Sequence, residues 1–199
     1  METSEKDVVF FDAFDKPPTE PWAWIREDPD GHRSSEKGLE IKLAPGSLMG
    51  DGRGVGNILV RPLPVNAKFV SLRVEATHKN QYEQAGLILY VDDDNYIKLV
   101  LEMVDGKPWI VFVVEIEAQA SVINKIPAPM GGIRIGLAFE NETVTAFGSG
   151  EKEEQQKIGS ARFPMKPRPK IGVFTHGGDP KADRWARFGN FWIYERVTE

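Results

Sequence analysis

Between Gln84 and Glu102 the chain reads Gln-Ala-Gly-Leu-Ile-Leu-Tyr-Val-Asp-Asp-Asp-Asn-Tyr-Ile-Lys-Leu-Val-Leu-Glu. Two apolar runs, 85–91 and 96–103, flank Asp92-Asp93-Asp94-Asn95, and a third, 109–118, follows Asp105-Gly106-Lys107-Pro108. Runs of strand length, separated by residues that favour tight turns, specify an antiparallel meander. Their β-branched and aromatic content is the highest in the chain, which places them at the centre of a sheet.

The rest of the chain repeats this theme. Residues 8–14 form a first strand, and Trp22-Ala23-Trp24-Ile25-Arg26 is an extended segment with both indoles on one side. Segment 38–43 alternates as a half-buried strand does, and 57–62 is a short strand closed by proline. In 68–78, Val70, Leu72, Val74 and Ala76 point one way, and Phe69, Ser71, Arg73, Glu75 and Thr77 the other. Further strands fall at 132–140, 143–148, 170–175 and 186–196. Between them, 45–56 carries glycines at 46, 50, 52, 54 and 56 and reads as a long loop, and 151–157 reads as a hairpin excursion. No 3.6-residue periodicity is sustained. With 19 Gly and 14 Pro, the pattern predicts an all-β sandwich or barrel. At 199 residues one domain is expected, with an ordered core over about 8–196.

Composition excludes several classes of function. A net charge of −5 argues against nucleic-acid or anionic-membrane partners, which call for a basic patch. The absence of cysteine removes disulfides, thiolate metal sites and thiol nucleophiles. No apolar run approaches the roughly 20 residues of a membrane-spanning helix. The charged start, Met1-Glu-Thr-Ser-Glu-Lys-Asp7, lacks the apolar region of a secretory signal, so a soluble, cytoplasmic protein is expected.

Four marks in order carry a family likeness: Phe11-Asp-Ala-Phe14 with Trp22-Ala-Trp24-Ile-Arg26; Gln84-Ala-Gly-Leu-Ile-Leu-Tyr90 with Asp94-Asn-Tyr-Ile-Lys-Leu99; Ile171-Gly-Val-Phe174; and Ala186-Arg-Phe188 with Phe191. Together they resemble the concanavalin A-like jelly-roll domains at the C-terminus of many β-xylosidases and α-arabinofuranosidases. They also resemble free-standing uncharacterised proteins of similar length, relatives of the yeast regulator-of-enolase protein. The resemblance implies a concanavalin A-like sandwich of two antiparallel sheets. It implies no activity, because the matching positions are mostly apolar or glycine and serve packing. In the xylosidases the catalytic carboxylates lie in a separate propeller domain without counterpart in this sequence. The likeness also implies a structural calcium near the first and last strands, with Asp12 and Asp15 as candidate ligands; no other cofactor is expected.

Alternation puts Tyr96, Lys98, Val100 and Glu102 on one face of the second central strand, and Trp109, Val111, Val113, Glu115 and Glu117 on one face of the third. With Tyr90, and with Arg73 and Glu75 from 68–78, these would form one open concave face suited to a sugar. Rings stack on pyranose C–H faces, and charged groups bond hydroxyls. A wet sheet face carries such residues anyway. His176, in the glycine-rich stretch Thr175-His-Gly-Gly-Asp179, is a further candidate, with Trp185 and Arg187 expected nearby. Asp92-Asp93-Asp94-Asn95 lacks the ligand spacing of a calcium loop and reads as a turn. His32, His78 and His176 show no metal-binding spacing, and the glycine run 52–56 lacks the lysine and helix of a phosphate loop. Glu115-Ile116-Glu117-Ala118-Gln119 resembles the strand of laminarinase-type glycosidases, but Gln119 stands where a proton donor is needed.

The leading expectation is therefore a non-catalytic module recognising an oligosaccharide. One alternative is a protein-interaction or regulatory factor of carbohydrate metabolism. Another is a glycoside hydrolase or lyase using an unrecognised carboxylate pair among Glu75, Glu102, Glu115 and Glu117.

Overall fold

In the computed structural model, residues 7–48, 54–129, 131–150, 153–179 and 181–196 are described. Gly50 and Gly52 of the long loop, and Glu151 and Lys152 of the 151–157 excursion, lie outside them. Fifteen strands run through the described residues: β1 (Val8–Asp12), β2 (Ala23–Ile25), β3 (His32–Ser35), β4 (Gly38–Lys42), β5 (Ile58–Pro62), β6 (Phe69–Ala76), β7 (Gln84–Asp92), β8 (Asn95–Val104), β9 (Lys107–Ile116), β10 (Gln119–Pro127), β11 (Ile133–Glu140), β12 (Thr143–Gly150), β13 (Gln156–Arg162), β14 (Lys170–His176) and β15 (Trp185–Tyr194).

They form two antiparallel sheets, confirming the sandwich. One has the order β13-β12-β11-β6-β15-β4-β3, with β1 also paired to β15; the other has the order β10-β9-β8-β7-β14-β5-β2. The meander is β7-β8-β9, at the centre of the seven-stranded sheet as its composition requires. The Asp92–Asn95 segment is the β7–β8 turn, where Asp92 Oδ1 accepts from the Asp94 amide at 3.0 Å and from Asn95 Nδ2 at 2.8 Å.

The core between the sheets is built from the faces that alternation selects. Val70, Leu72 and Val74 of β6 meet Ile97, Leu99 and Leu101 of β8 and Ile110, Phe112 and Val114 of β9 in one buried cluster. Trp22 belongs to this cluster and Trp24 packs against it, so the two indoles do share a side.

Three strands are invisible to periodicity: β3, β10 and β13. Each is the edge of a sheet, with one flank unpaired. β10, Gln-Ala-Ser-Val-Ile-Asn-Lys-Ile-Pro, has no fully buried residue and so carries no apolar alternation. A bulge between Val122 and Asn124, together with Lys125, blunts this edge against further strand pairing.

The sheets are tied near the end of β14. Thr175 Oγ1 donates to the Lys42 carbonyl at 2.7 Å, and the Gly178 amide donates to the Ala44 carbonyl at 3.0 Å. A Cβ at Gly178 would sit 1.6 Å from the Leu43 carbonyl oxygen. Glycine is required there by this approach of two backbones. The glycine-rich stretch 175–179 is thus a tight junction.

Candidate functional site

The structure divides the predicted site residues between two faces. Tyr90, Tyr96, Lys98, Glu102, Trp109, Glu115 and His176 come from β7, β8, β9 and β14 of the seven-stranded sheet. Arg73, Glu75 and Arg187 come from β6 and β15 of the other sheet, whose alternate residues Val70, Leu72, Val74, Ala186 and Phe188 fill the core. The single face expected from strand order is thereby corrected. β6 and β7 are consecutive in sequence, but the chain crosses from one sheet to the other between them. For the same reason His176 and Arg187 point to opposite sides of the sandwich.

Arg73, Glu75 and Arg187 do meet, in a cross-strand ladder of charges. Arg73 bonds Glu75, Arg187 bonds Glu75 at 3.0 Å and Glu40 at 3.1 Å, and Arg33 bonds Glu40 at 2.7 Å. The Arg33 guanidinium lies 4.2 Å from the centre of the Trp185 ring. Two shallow cavities of 330 and 350 Å³ flank Glu75 and Arg187. With each carboxylate paired to an arginine, the ladder has the form of a charge-paired, solvated sheet face.

The face of the seven-stranded sheet differs from expectation in a second way, for it is closed. Leu48 and Val55, from the loop between β4 and β5, join Ile58, Val60, Ile88, Val100, Val111, Val113 and Phe174 in a second apolar cluster. The polar residues are sealed among these: Tyr96 is fully buried, and Lys98 and Glu115 are 1% exposed. Trp109 is partly exposed at the rim, where Lys125 of β10 places its Nζ 4.5 Å from the ring centre.

Pairing register sets the local geometry. Tyr96 lies opposite Glu115 and donates its hydroxyl to Glu115 Oε2 at 2.5 Å. Gln84 lies opposite both Glu102 and His176, and its Nε2 donates to Glu102 Oε1 at 2.9 Å. Gln84 was not among the expected site residues, although its alternation with Gly86, Ile88 and Tyr90 puts it on this face. Lys98, between Tyr96 and Val100 on β8, has its amine buried and without a hydrogen-bond partner among the described residues. Glu115 Oε1, Gln84 Oε1 and His176 Nδ1 are likewise buried without partners there.

Electrostatics follow from this enclosure. Burial pulls the Lys98 amine below its ordinary value, against the opposing pull of Glu102 and Glu115. Burial raises the Glu102 carboxyl despite Lys98, Gln84 and Lys125. His176 is pushed down to about 3 by burial and then by the Lys98 charge, and so stays neutral. Burial and the Glu115 carboxylate raise the Tyr96 phenol.

Tyr90 is held at the edge of the cluster by Asp93, to which its hydroxyl donates at 2.9 Å. Arg26 clamps the same carboxylate in a bidentate pair at 2.9 and 3.0 Å, and its Nε donates to the Val55 carbonyl at 2.6 Å. The clamp joins the β7–β8 turn to the loop that covers the face. Replacing Asp93 by Ala is expected to lower stability by about 1 kcal/mol, because the pair is part-exposed. A urea unfolding midpoint would measure it.

The four-carboxylate set reduces to one pair. Glu75 lies on the other sheet, and Glu117 sits in the β9–β10 turn with φ 51°, off the face that Glu115 occupies. Only Glu102 and Glu115 share a face, with Lys98 on β8 between Glu102 and the Tyr96 that faces Glu115. Asp12 uses Oδ1 to accept from the Phe14 amide at 2.7 Å and Oδ2 to accept from Trp22 Nε1 at 2.8 Å. Among the described residues, no group of three or more His, Asp or Glu side chains is arranged to hold a metal.

Fold and face together define a two-sheet antiparallel sandwich with a closed, polar-centred outer face on one sheet. Residues 24–188 match the family described as protein of unknown function (DUF1349), and the chain belongs to that family. The GH43 protein BlXynB of Bacillus licheniformis is similar in structure over 98% of this chain and 40% of its own, with a TM-score of 0.83 and 18% identity. A xylan β-1,4-xylosidase of Bacillus halodurans C-125 matches over 98% of this chain and 40% of its own, at a TM-score of 0.77 and 18% identity. A functionally unknown protein of Saccharomyces cerevisiae matches over 89% of this chain and 97% of its own, at a TM-score of 0.71 and 14% identity. The chain thus spans about two fifths of the length of the two bacterial proteins. At such identities the likeness is one of fold. No curated protein sequence matches the chain.

Proposed function

We propose that this chain is a non-catalytic carbohydrate-recognition sandwich that holds its ligand around Lys98, on the outer face of the seven-stranded sheet. The observation carrying this reading is the set of four buried polar atoms without partners, Lys98 Nζ, Glu115 Oε1, Gln84 Oε1 and His176 Nδ1, enclosed by apolar side chains. A buried polar group left unbonded costs about 1–3 kcal/mol, and several together call for a polar occupant. Water can be that occupant, and a hydroxylated ligand that reproduces water's bonds displaces it. Trp109, partly exposed at the rim of the same face and opposite Glu102 in register, offers a sugar-stacking ring beside the cluster. Similarity to sandwich regions of GH43 proteins supports a carbohydrate-related role. Glu102 and Glu115 are separated by a lysine and tied to Gln84 and Tyr96, which suits binding better than acid–base work.

A thermal-shift panel of xylo-, arabino-, gluco- and galacto-oligosaccharides, taken into the millimolar range, tests the proposal. A reproducible rise in Tm is expected with at least one of them. Lys98→Met should abolish the rise, and Trp109→Ala should shift its midpoint to about tenfold higher ligand concentration, with the far-UV spectrum unchanged. Silence of the wild-type chain across the panel would defeat the reading. In that event the exposed Phe11, its ring centre 3.9 Å from that of Trp192 on the other sheet's outer face, would favour a protein-contact role.

A further inference from the structure

We infer that the unit bound at Lys98 is an uncharged polyol, one of whose hydroxyls bridges Lys98 Nζ to Glu115 Oε1, and that the site rejects uronic acids and amino sugars. The inference rests on the carbohydrate reading above and specifies the ligand within it.

Lys98 and Glu115 lie on neighbouring strands of one face and are equally buried, yet they form no ion pair. An ammonium and a carboxylate oxygen buried on one face without bonding each other each still call for a polar partner. A hydroxyl accepts from the first and donates to the second at once. A second such place lies alongside. Gln84 and His176 are directly paired residues of β7 and β14, and each presents an unbonded atom, an acceptor in Gln84 Oε1 and a ring nitrogen in His176 Nδ1. With the proton on Nδ1, a second hydroxyl would accept from His176 and donate to Gln84. Two alternating donor–acceptor places on one face match adjacent hydroxyls of a neutral sugar.

The charge balance excludes the common charged sugars. The cluster holds one amine against two carboxylates, so a uronate would add a third carboxylate among the buried apolar side chains of Val100, Val111, Val113 and Phe174. Such a group loses its hydration there and gains no unopposed cation. The ammonium of an amino sugar, though drawn to the carboxylates, offers Lys98 no acceptor and sets a second buried cation beside it. His176 supplies no compensating charge, since burial keeps it neutral.

The test compares neutral gluco- and xylo-oligosaccharides with oligomers of the same length carrying glucuronate or glucosamine, by titration calorimetry on the intact chain at pH 7. The neutral compounds should bind at least about tenfold more tightly than either charged set. Glu115→Gln, which removes one carboxylate charge and keeps an acceptor for Tyr96, should narrow the gap for the uronate. A uronate that binds as tightly as its neutral counterpart would overturn this inference and leave the carbohydrate proposal standing. Absence of binding by all three sets would overturn both.

Discussion

Below pH 6.5 the protein should lose stability steeply, by about 4 kcal/mol between pH 7.5 and pH 5, through two buried histidines. His78 and His176 are 7% and 6% exposed. Burial pulls His78 down to about 4, with the Glu83 charge opposing and the Arg184 charge assisting, and pulls His176 down to about 3. In the unfolded chain both take a proton near the ordinary value of 6.5. Between that value and their folded values the unfolded state therefore holds two more protons than the folded state. Each then contributes a slope of about 1.4 kcal/mol per pH unit, and stability falls as pH falls. Urea midpoints at pH 7.5, 6 and 5 would measure the slope. His176→Gln, which cannot take up a proton, should remove about half of it. A midpoint that stays level from pH 7.5 to pH 5 would show that both rings take up a proton in the folded protein, and half the slope that one of them does.

The two histidines also show what a sequence conceals. His78 closes the strand read over 68–78 and His176 opens a glycine-rich stretch, and neither local pattern announces a buried imidazole. The central strands were legible for the opposite reason. In β6, β8 and β9 the residues that alternate inward are Val, Leu, Ile and Phe, so each strand's own pattern assigns its core face. Alternation decides which way a side chain points but not which sheet its strand joins. Arg73 and Glu75 were therefore assigned an outward face correctly and combined with the wrong partners. It is equally silent on cover: the face of Tyr96 and Lys98 is closed by Leu48 and Val55, whose loop shows only glycine and mixed polarity. Edge strands such as β10 lack the second flank that would impose a pattern.

The candidate site follows the same division. Lys98, Glu102 and Glu115 were identifiable as polar residues in the most apolar strands, a conflict between local composition and burial that singles them out as candidates. What could not be read was their separation. A lysine between two glutamates suggests ion pairs, and the folded register gives the glutamates other partners, Tyr96 and Gln84, leaving the amine without one. The inference of a bridging hydroxyl depends on that gap.

Replacing Glu83 by Ala should cost about 3–5 kcal/mol, a large share of the stability of a chain this size. Glu83 is fully buried just before β7, in the segment where the chain passes from the eight-stranded to the seven-stranded sheet. Its Oε2 accepts from the Lys79 amide at 2.7 Å and the Asn80 amide at 3.1 Å, closing that crossover loop. Its Oε1 pairs with Arg184, whose own carbonyl accepts from the Leu43 amide at 2.8 Å at the end of β4. One carboxylate thus joins the start of β7 to the approach to β15, across the two sheets. Burial alone would raise its pKa, but the Arg184 pair and the two backbone amides outweigh it and hold the carboxyl below its ordinary 4.5. A lowered folded value means that the stabilisation is complete above about pH 4.5 and is lost as pH falls through the folded value, beneath the window in which His78 and His176 begin to act. Glu83→Ala leaves Arg184 and both amides unpaired, whereas Glu83→Gln keeps acceptor oxygen for the amides and should cost less. Urea unfolding of both variants, with Arg184→Met to complete a double-mutant cycle, would separate the ion pair from the loop closure. A loss under 1 kcal/mol for Glu83→Ala would mean that water satisfies the crossover and that the carboxylate does not join the sheets.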